Sequence, residues 1–151
     1  MSPVAEKRGI RCLTLMQPWA TAVVRGLKDV ENRTSITSYR GILAIHAGLR
    51  WSDRGAEHPL IRPVIDQWTM PTGAVIGVVT VAGCHLAEPG CCASPWALDA
   101  YGGRVVRAHL ELADAQALPE PVPAVGKLGY WYLTPAQERA VLAQVPSAVT
   151  A

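Results

Sequence analysis

Nothing in these 151 residues approaches the roughly 18 consecutive apolar side chains of a membrane-crossing helix, so no helical membrane span is expected. The opening MSPVAEKRG carries Lys7 and Arg8, with no apolar segment behind them long enough for a secretion signal. Export is therefore not expected, and the cytoplasm is the expected compartment. There, Cys12, Cys84, Cys91 and Cys92 are expected to be thiols rather than disulfides. The CxxC knuckles of zinc sites are missing too. Cys84-His85 and Cys91-Cys92 supply sulfur and nitrogen donors, but adjacent cysteines seldom hold one ion together. Small apolar thiols near a strand end are the expected role, with no metal and no other cofactor. Internal repeats and low-complexity segments are absent, and a net charge of +2 is too small to announce nucleic acid by itself.

What is present fits one domain, long enough to bury about two-thirds of its unfolded surface. Basic residues are unevenly placed: Arg25, Lys28, Arg33, Arg40, Arg50, Arg54 and Arg62 face only Asp29, Glu31, Asp53 and Glu57 in the same stretch. Polar chemistry concentrates between Met16 and Gly48. Pro18 suits a helix start, where its missing N–H has no partner anyway, and Trp19, Ala22 and Val23 recur at the spacing of one buried helical face. Gly26 reads as the cap. The free N–H groups of that helix start, beside Gln17, form a candidate anion or carbonyl site. Lys28, Glu31, Asn32 and Arg33 follow. Glu31 and Arg33 are either a surface or edge ion pair or, together with Lys28, the lining of a pocket.

Further strands are expected over Ile10–Leu15, Ile42–Ala47 and Ala74–Leu86. The second is so continuously apolar that both its faces should be covered, and Gly77 and Gly83 suggest bulges in the third. His46 is either a satisfied core histidine or a pocket residue. Residues 49–68 read as helical in two pieces broken at Gly55 and Pro59, with Leu60, Ile61, Val64, Ile65 and Trp68 on the core face. In the turn-rich loop 87–103, Trp96 and Tyr101 are either base-stacking rings or core plugs. Strand-like alternation after Arg104 gives way to an extended connector, Pro119–Pro123, and Gly126–Leu133 holds the final strand. Lys127, between Gly126 and Gly129, can approach an anion. Thr134-Pro135 is a cap followed by a first helical position, opening a helix to about residue 145.

The run Gln17-Pro18-Trp19-Ala20, then Gly26-Leu27-Lys28-Asp29-Val30-Glu31-Asn32-Arg33, then Tyr39-Arg40-Gly41 and Ile45-His46-Ala47-Gly48, resembles the ASCH domain (activating signal cointegrator homology), a relative of PUA domains. Gly73–Val79, Ser94-Pro95-Trp96 and Gly126–Trp131 extend the likeness over most of residues 11–133. The resemblance implies an α+β fold, a PUA-like small β-barrel with flanking helices, spanning 1–151 as one domain. It also implies a cleft lined by Gln17, Trp19, Lys28, Glu31, Arg33, Tyr39, Arg40, His46, Ser94, Trp96 and Lys127. The ligand so implied is RNA or a nucleotide, with no membrane partner. An alternative is amidohydrolysis of N4-acylated cytidine-type nucleosides, since Lys28 and Arg33 match the motif GxKTxTxR of such ASCH-like enzymes. In that case Lys28 and Glu31 would be catalytic, with Asp29 and Glu31 standing where the motif has its two threonines. A third is a protein-interaction adaptor.

Overall fold

Alternation along three central strands decides which side chains face which helix. In the computed structural model, which describes residues 9–101 and 103–146, the elements in order are β1 (Arg11–Gln17), α1 (Trp19–Val24), β2 (Val30–Arg33), β3 (Gly41–Trp51), α2 (Asp53–Glu57), β4 (Ala74–Leu86), β5 (Ala100–Tyr101), β6 (Arg104–Val105), β7 (Ala108–Pro123), β8 (Tyr130–Tyr132) and α3 (Pro135–Leu142). Six strands make one mixed sheet in the order β2-β7-β4-β3-β1-β8, while β5 and β6 pair separately. β1 and β3 run parallel, Leu13 opposite Ile45 and Thr14 opposite His46, and the other neighbours are antiparallel. Parallel partners need a crossover. α1 and β2 supply it.

Leu13, Leu15, Leu43 and Ile45 pack with Val23 and Val24 of α1 on one face of the sheet. Cys12 and Ala44, one residue out of phase, pack with Val141, Val145 and Trp131 on the other. β3 is thus covered on both sides, as its apolar run implies. In β4 the phase slips: Ile76 and Val79, three apart, both face α1, and the pairing shifts register on either side of Gly77. A Cβ at Gly77 would stand 2.4 Å from Val24, so the bulge glycine also lets α1 lie close. With six residues α1 is too short to hold itself in water, and this burial fixes it. Gly26 closes the segment at φ +76°, the left-handed conformation expected of a cap. Thr134 caps α3 in a reciprocal pair with Gln137, and Pro135 opens the helix.

The helical reading of residues 49–68 is corrected. β3 continues to Trp51, drawn on by β1, whose Gln17 pairs with Trp51. Only Asp53–Glu57 is α-helical, with turns and a 3₁₀ segment at Ile65–Gln67 behind it. Pro59 and Pro63 deny the N–H groups a longer helix needs. Ile61 is fully buried while Leu60 is exposed, so the apolar residues there share no single helical face. The Pro119–Pro123 connector is likewise the end of β7. Its pairing with β4 slips between Val75 and Gly77, opposite residues 118–121, and in that bulge the N–H groups missing from Pro119 and Pro121 leave no ladder bond unmade.

No ladder joins the edge strands β2 and β8 among the described residues. They approach through side chains instead, the Arg33 guanidinium lying 5.4 Å from the ring centroid of Tyr130.

Candidate functional site

α1, β2 and residues 95–98 enclose a pocket of about 220 Å³, lined among others by Met16, Trp19, Lys28, Glu31, Asn32 and Arg33 from the first third of the chain. His58, Pro95, Trp96 and Leu98 close it from the far side. Three rings form its aromatic wall: His58 stacks on Trp96 at 4.3 Å, and Trp19 meets both edge-on at 5.9 and 6.4 Å. Ser52 steadies that wall, accepting from the Trp19 indole N–H at 3.0 Å while it caps α2.

Lys28 is buried, an unusual state for an ammonium, and it is paired accordingly. Its Nζ donates to the Val30 carbonyl and, at 3.0 Å, to Glu31 Oε2, and it stands 5.6 Å from the Trp19 ring centroid. The remaining N–H of Lys28 and the second oxygen of Glu31 make no hydrogen bond among the described residues. Burial, then the charge of Lys28, push the His58 pKa below its ordinary value and hold the imidazole neutral at pH 7.

The loop 94–98 is tied to β2 by polar side chains. Asn32 donates to the Trp96 carbonyl at 2.9 Å and accepts from the Leu98 N–H at 2.9 Å. Ser94 donates to Asp29 at 2.6 Å. His109 Nε2 donates to the Leu98 carbonyl at 2.6 Å.

Arg33 opens the pocket into a second cavity. This groove, about 800 Å³, shares Thr14, Leu15, Met16 and Arg33 with the pocket and continues past His46, Arg50 and the turn 124–129 with Lys127. Among the described residues, no acidic one lines it. His46 is buried, donates from Nε2 to the Ala124 carbonyl at 2.7 Å, and leaves Nδ1 without a hydrogen-bond partner among the described residues. Tyr130, beneath Arg33, has its phenol pKa raised by burial, with Arg33 acting in the opposite sense.

The residues singled out from sequence are thus distributed over two connected cavities. Trp19, Lys28, Glu31, Arg33 and Trp96 line the pocket, and Arg33, His46 and Lys127 the groove. Trp96 is both a wall of the pocket and a buried plug, packed with Ala22, Val30 and Ile61. Four candidates line neither cavity. Gln17 is fully buried, its amide accepting from the Thr21 N–H and donating to the Pro71 carbonyl. Tyr39 donates to the Ile42 carbonyl, with Arg11 over its ring. Arg40 is exposed and donates to the Thr37 and Tyr39 carbonyls. Ser94 serves the loop. The Tyr101 side chain lies outside the described residues. Sequence reasoning passed over His58, Leu98 and the clamping role of Asn32; a polar side chain next to the Arg33 position was a signal for the last alone.

The model of the ASCH domain family matches residues 13–112, and the chain belongs to that family. Activating signal cointegrator 1 of Homo sapiens is 35% identical in an alignment 81 residues long that covers 48% of this chain and 14% of that protein. The Mus musculus counterpart is 37% identical over the same shares. The chain thus corresponds to a small part of those relatives. Among solved structures, a crystal structure of ASCH from Zymomonas mobilis superimposes with a TM-score of 0.57 over 90% of this chain and 95% of that one, at 16% identity. A point mutant of the same protein gives 0.58, covering 90% and 98%. Such likeness establishes the α+β fold.

Proposed function

We propose that this ASCH domain binds RNA or a nucleotide, a base entering the aromatic pocket and its phosphates lying along the groove past Arg33. One observation carries the reading: an aromatic-walled pocket with a buried donor–acceptor pair opens into a groove that presents Arg33, Arg50 and Lys127 and, among the described residues, no acid. The pocket is smaller than the roughly 300–1,000 Å³ usual for drug-sized ligands, which suits a single base or nucleoside. The spare N–H of Lys28 and the spare oxygen of Glu31 match the mixed donors and acceptors of a base edge. Trp19 and Trp96 bring aromatic surface, and Arg33 is placed to meet the first phosphate.

Quenching of Trp19 and Trp96 fluorescence by a short single-stranded RNA, followed over a range of salt, tests this. Affinity should fall with salt by a log–log slope of about −0.7 for each phosphate contact. Arg33→Ala should lower that slope by about one contact. Binding indifferent to salt and to Arg33 would sink the proposal.

A second reading rests on the 3.0 Å Lys28–Glu31 pair inside the pocket. In an amidohydrolase acting on N4-acylated cytidine, Glu31 would take a proton from water and Lys28 would steady the oxyanion. Turnover of N4-acetylcytidine, abolished in a folded Glu31→Gln variant, would favour it. Absence of turnover in the parent protein eliminates it.

A further inference from the structure

Away from this cleft, four donor side chains from three segments meet at one point. His85 on β4 and His109 on β7 face each other in register, and Cys91 and Cys92 come from the turn between them. All four donor atoms lie within 4.8 Å of one another. His109 Nδ1 is 3.0 Å from His85 Nε2 and 3.3 Å from Cys91 Sγ, and the two sulfurs are 3.9 Å apart.

The outer nitrogens settle which ring atoms bear protons. His109 Nε2 points at the Leu98 carbonyl and His85 Nδ1 at the Glu111 carboxylate, 3.1 Å away, and both partners can only accept. Each imidazole therefore carries its proton on the outer nitrogen. The inner nitrogens, 3.0 Å apart, turn lone pair towards lone pair. That arrangement repels unless a proton or a cation sits between them. A shared proton, or the Cys91 thiol donating to His109 Nδ1 at 3.3 Å, relieves these contacts one pair at a time; a cation engages all four donors at once.

We propose that His85, Cys91, Cys92 and His109 form a tetrahedral site for a zinc-type divalent cation, which fastens the loop carrying Trp96 and Leu98 to the sheet. For zinc with bonds of about 2.3 Å to sulfur and 2.05 Å to nitrogen, tetrahedral geometry puts two sulfurs about 3.8 Å apart and two nitrogens about 3.3 Å apart. The sulfur–sulfur and nitrogen–nitrogen separations here lie within a few tenths of an ångström of those, and the widest spacing among the four donors, up to 4.8 Å, closes when an ion binds. Two sulfur and two nitrogen donors in that geometry select zinc over magnesium or calcium, which take oxygen. Glu111 and the Leu98 carbonyl are the outer partners that orient ligating histidines in metal sites. The same Leu98 lines the base pocket, so the cation would stiffen that wall without touching it. Adjacent cysteines alone are a poor chelate; His85 and His109 complete the set.

The test is a titration of the chelator-stripped, reduced protein with Co²⁺, then with Zn²⁺ in competition. Expected is uptake of one Co²⁺ per chain with the visible bands of a tetrahedral ion and sulfur-to-cobalt charge transfer, erased by Zn²⁺. The double variant Cys91→Ser/Cys92→Ser, altered only at exposed positions and checked for fold by near-UV circular dichroism, should lose the charge-transfer band. Glu111→Gln should weaken binding about tenfold or more, as outer partners do. No stoichiometric uptake, or an unchanged spectrum in the double variant, overturns the site. Neither result depends on RNA, so this proposal and the base-pocket reading fail separately.

Discussion

In the small pocket, Lys28, Glu31 and Asn32 spend hydrogen bonds on the chain itself, whereas in the groove the Arg50 and Lys127 side chains have no partner among the described residues. Arg33 belongs to both cavities. The contrast separates two roles that sequence alone runs together: polar groups that build a site, whose loss costs stability, and polar groups that wait for a ligand, whose loss costs binding. Substitutions on the two sides should therefore differ in kind.

The largest effect is expected at Lys28. Lys28→Met leaves the Glu31 carboxylate facing a largely buried site without its cation, a change that costs about 3 kcal/mol when one partner of a buried pair is removed. Denaturant unfolding measures it. The double variant Lys28→Met/Glu31→Leu should recover most of the loss, because an apolar pair of similar volume replaces a buried ion pair at little cost. If both variants unfold like the parent protein, the pair is a surface ornament and the pocket loses its foundation.

Asn32→Ala comes next. It removes both bonds that hold the Trp96 carbonyl and the Leu98 N–H, together worth about 2 kcal/mol. Amide exchange at residues 94–98 should quicken while exchange in β4 stays slow, since only one wall of the pocket is released. Uniform quickening would mean the loop is part of the global core.

The same distinction explains what could be read from the chain unaided. β4, the first helix and the capped start of α3 were legible because each depends on neighbours in sequence: an apolar period, Gly26, Thr134 next to Pro135. The Lys28–Glu31 pair was not: an extended reading pairs Glu31 with Arg33 and turns Lys28 to the other side, whereas Lys28 stands ahead of β2 and its ammonium reaches Glu31. Pro119–Pro123 looked like a connector because prolines argue against a strand, and only the bulge opposite Ile76 makes a strand tolerable there. The 49–68 stretch looked helical by spacing, yet β1 captures its first residues by pairing. His58, Leu98 and His109 gave no signal, since each acquires its role from a partner at least eleven residues distant. Long-range contact, which periodicity cannot encode, decides the far wall of the pocket.

On the groove side, Lys127→Ala should leave unfolding unchanged and shallow the salt dependence of RNA binding by about one phosphate contact. A stability loss there, with unchanged salt dependence, would reverse the assignment of the groove residues as ligand-facing.

His58 offers the smallest and most local measurement. Its imidazole belongs to the pocket wall, stacked on Trp96, and burial together with Lys28 lowers its pKa from the usual 6.5. The folded protein therefore binds fewer protons at this ring than the unfolded chain does just below pH 6.5. His58's contribution to stability is complete above that pH and is lost as pH falls through the folded value. An NMR titration of the ring should find a midpoint below 6.5 in the parent protein. In Lys28→Met the positive neighbour is gone, so the midpoint should rise part of the way back while the effect of burial persists. A midpoint unmoved by that substitution would place the ammonium away from the ring and open the pocket's aromatic wall to solvent.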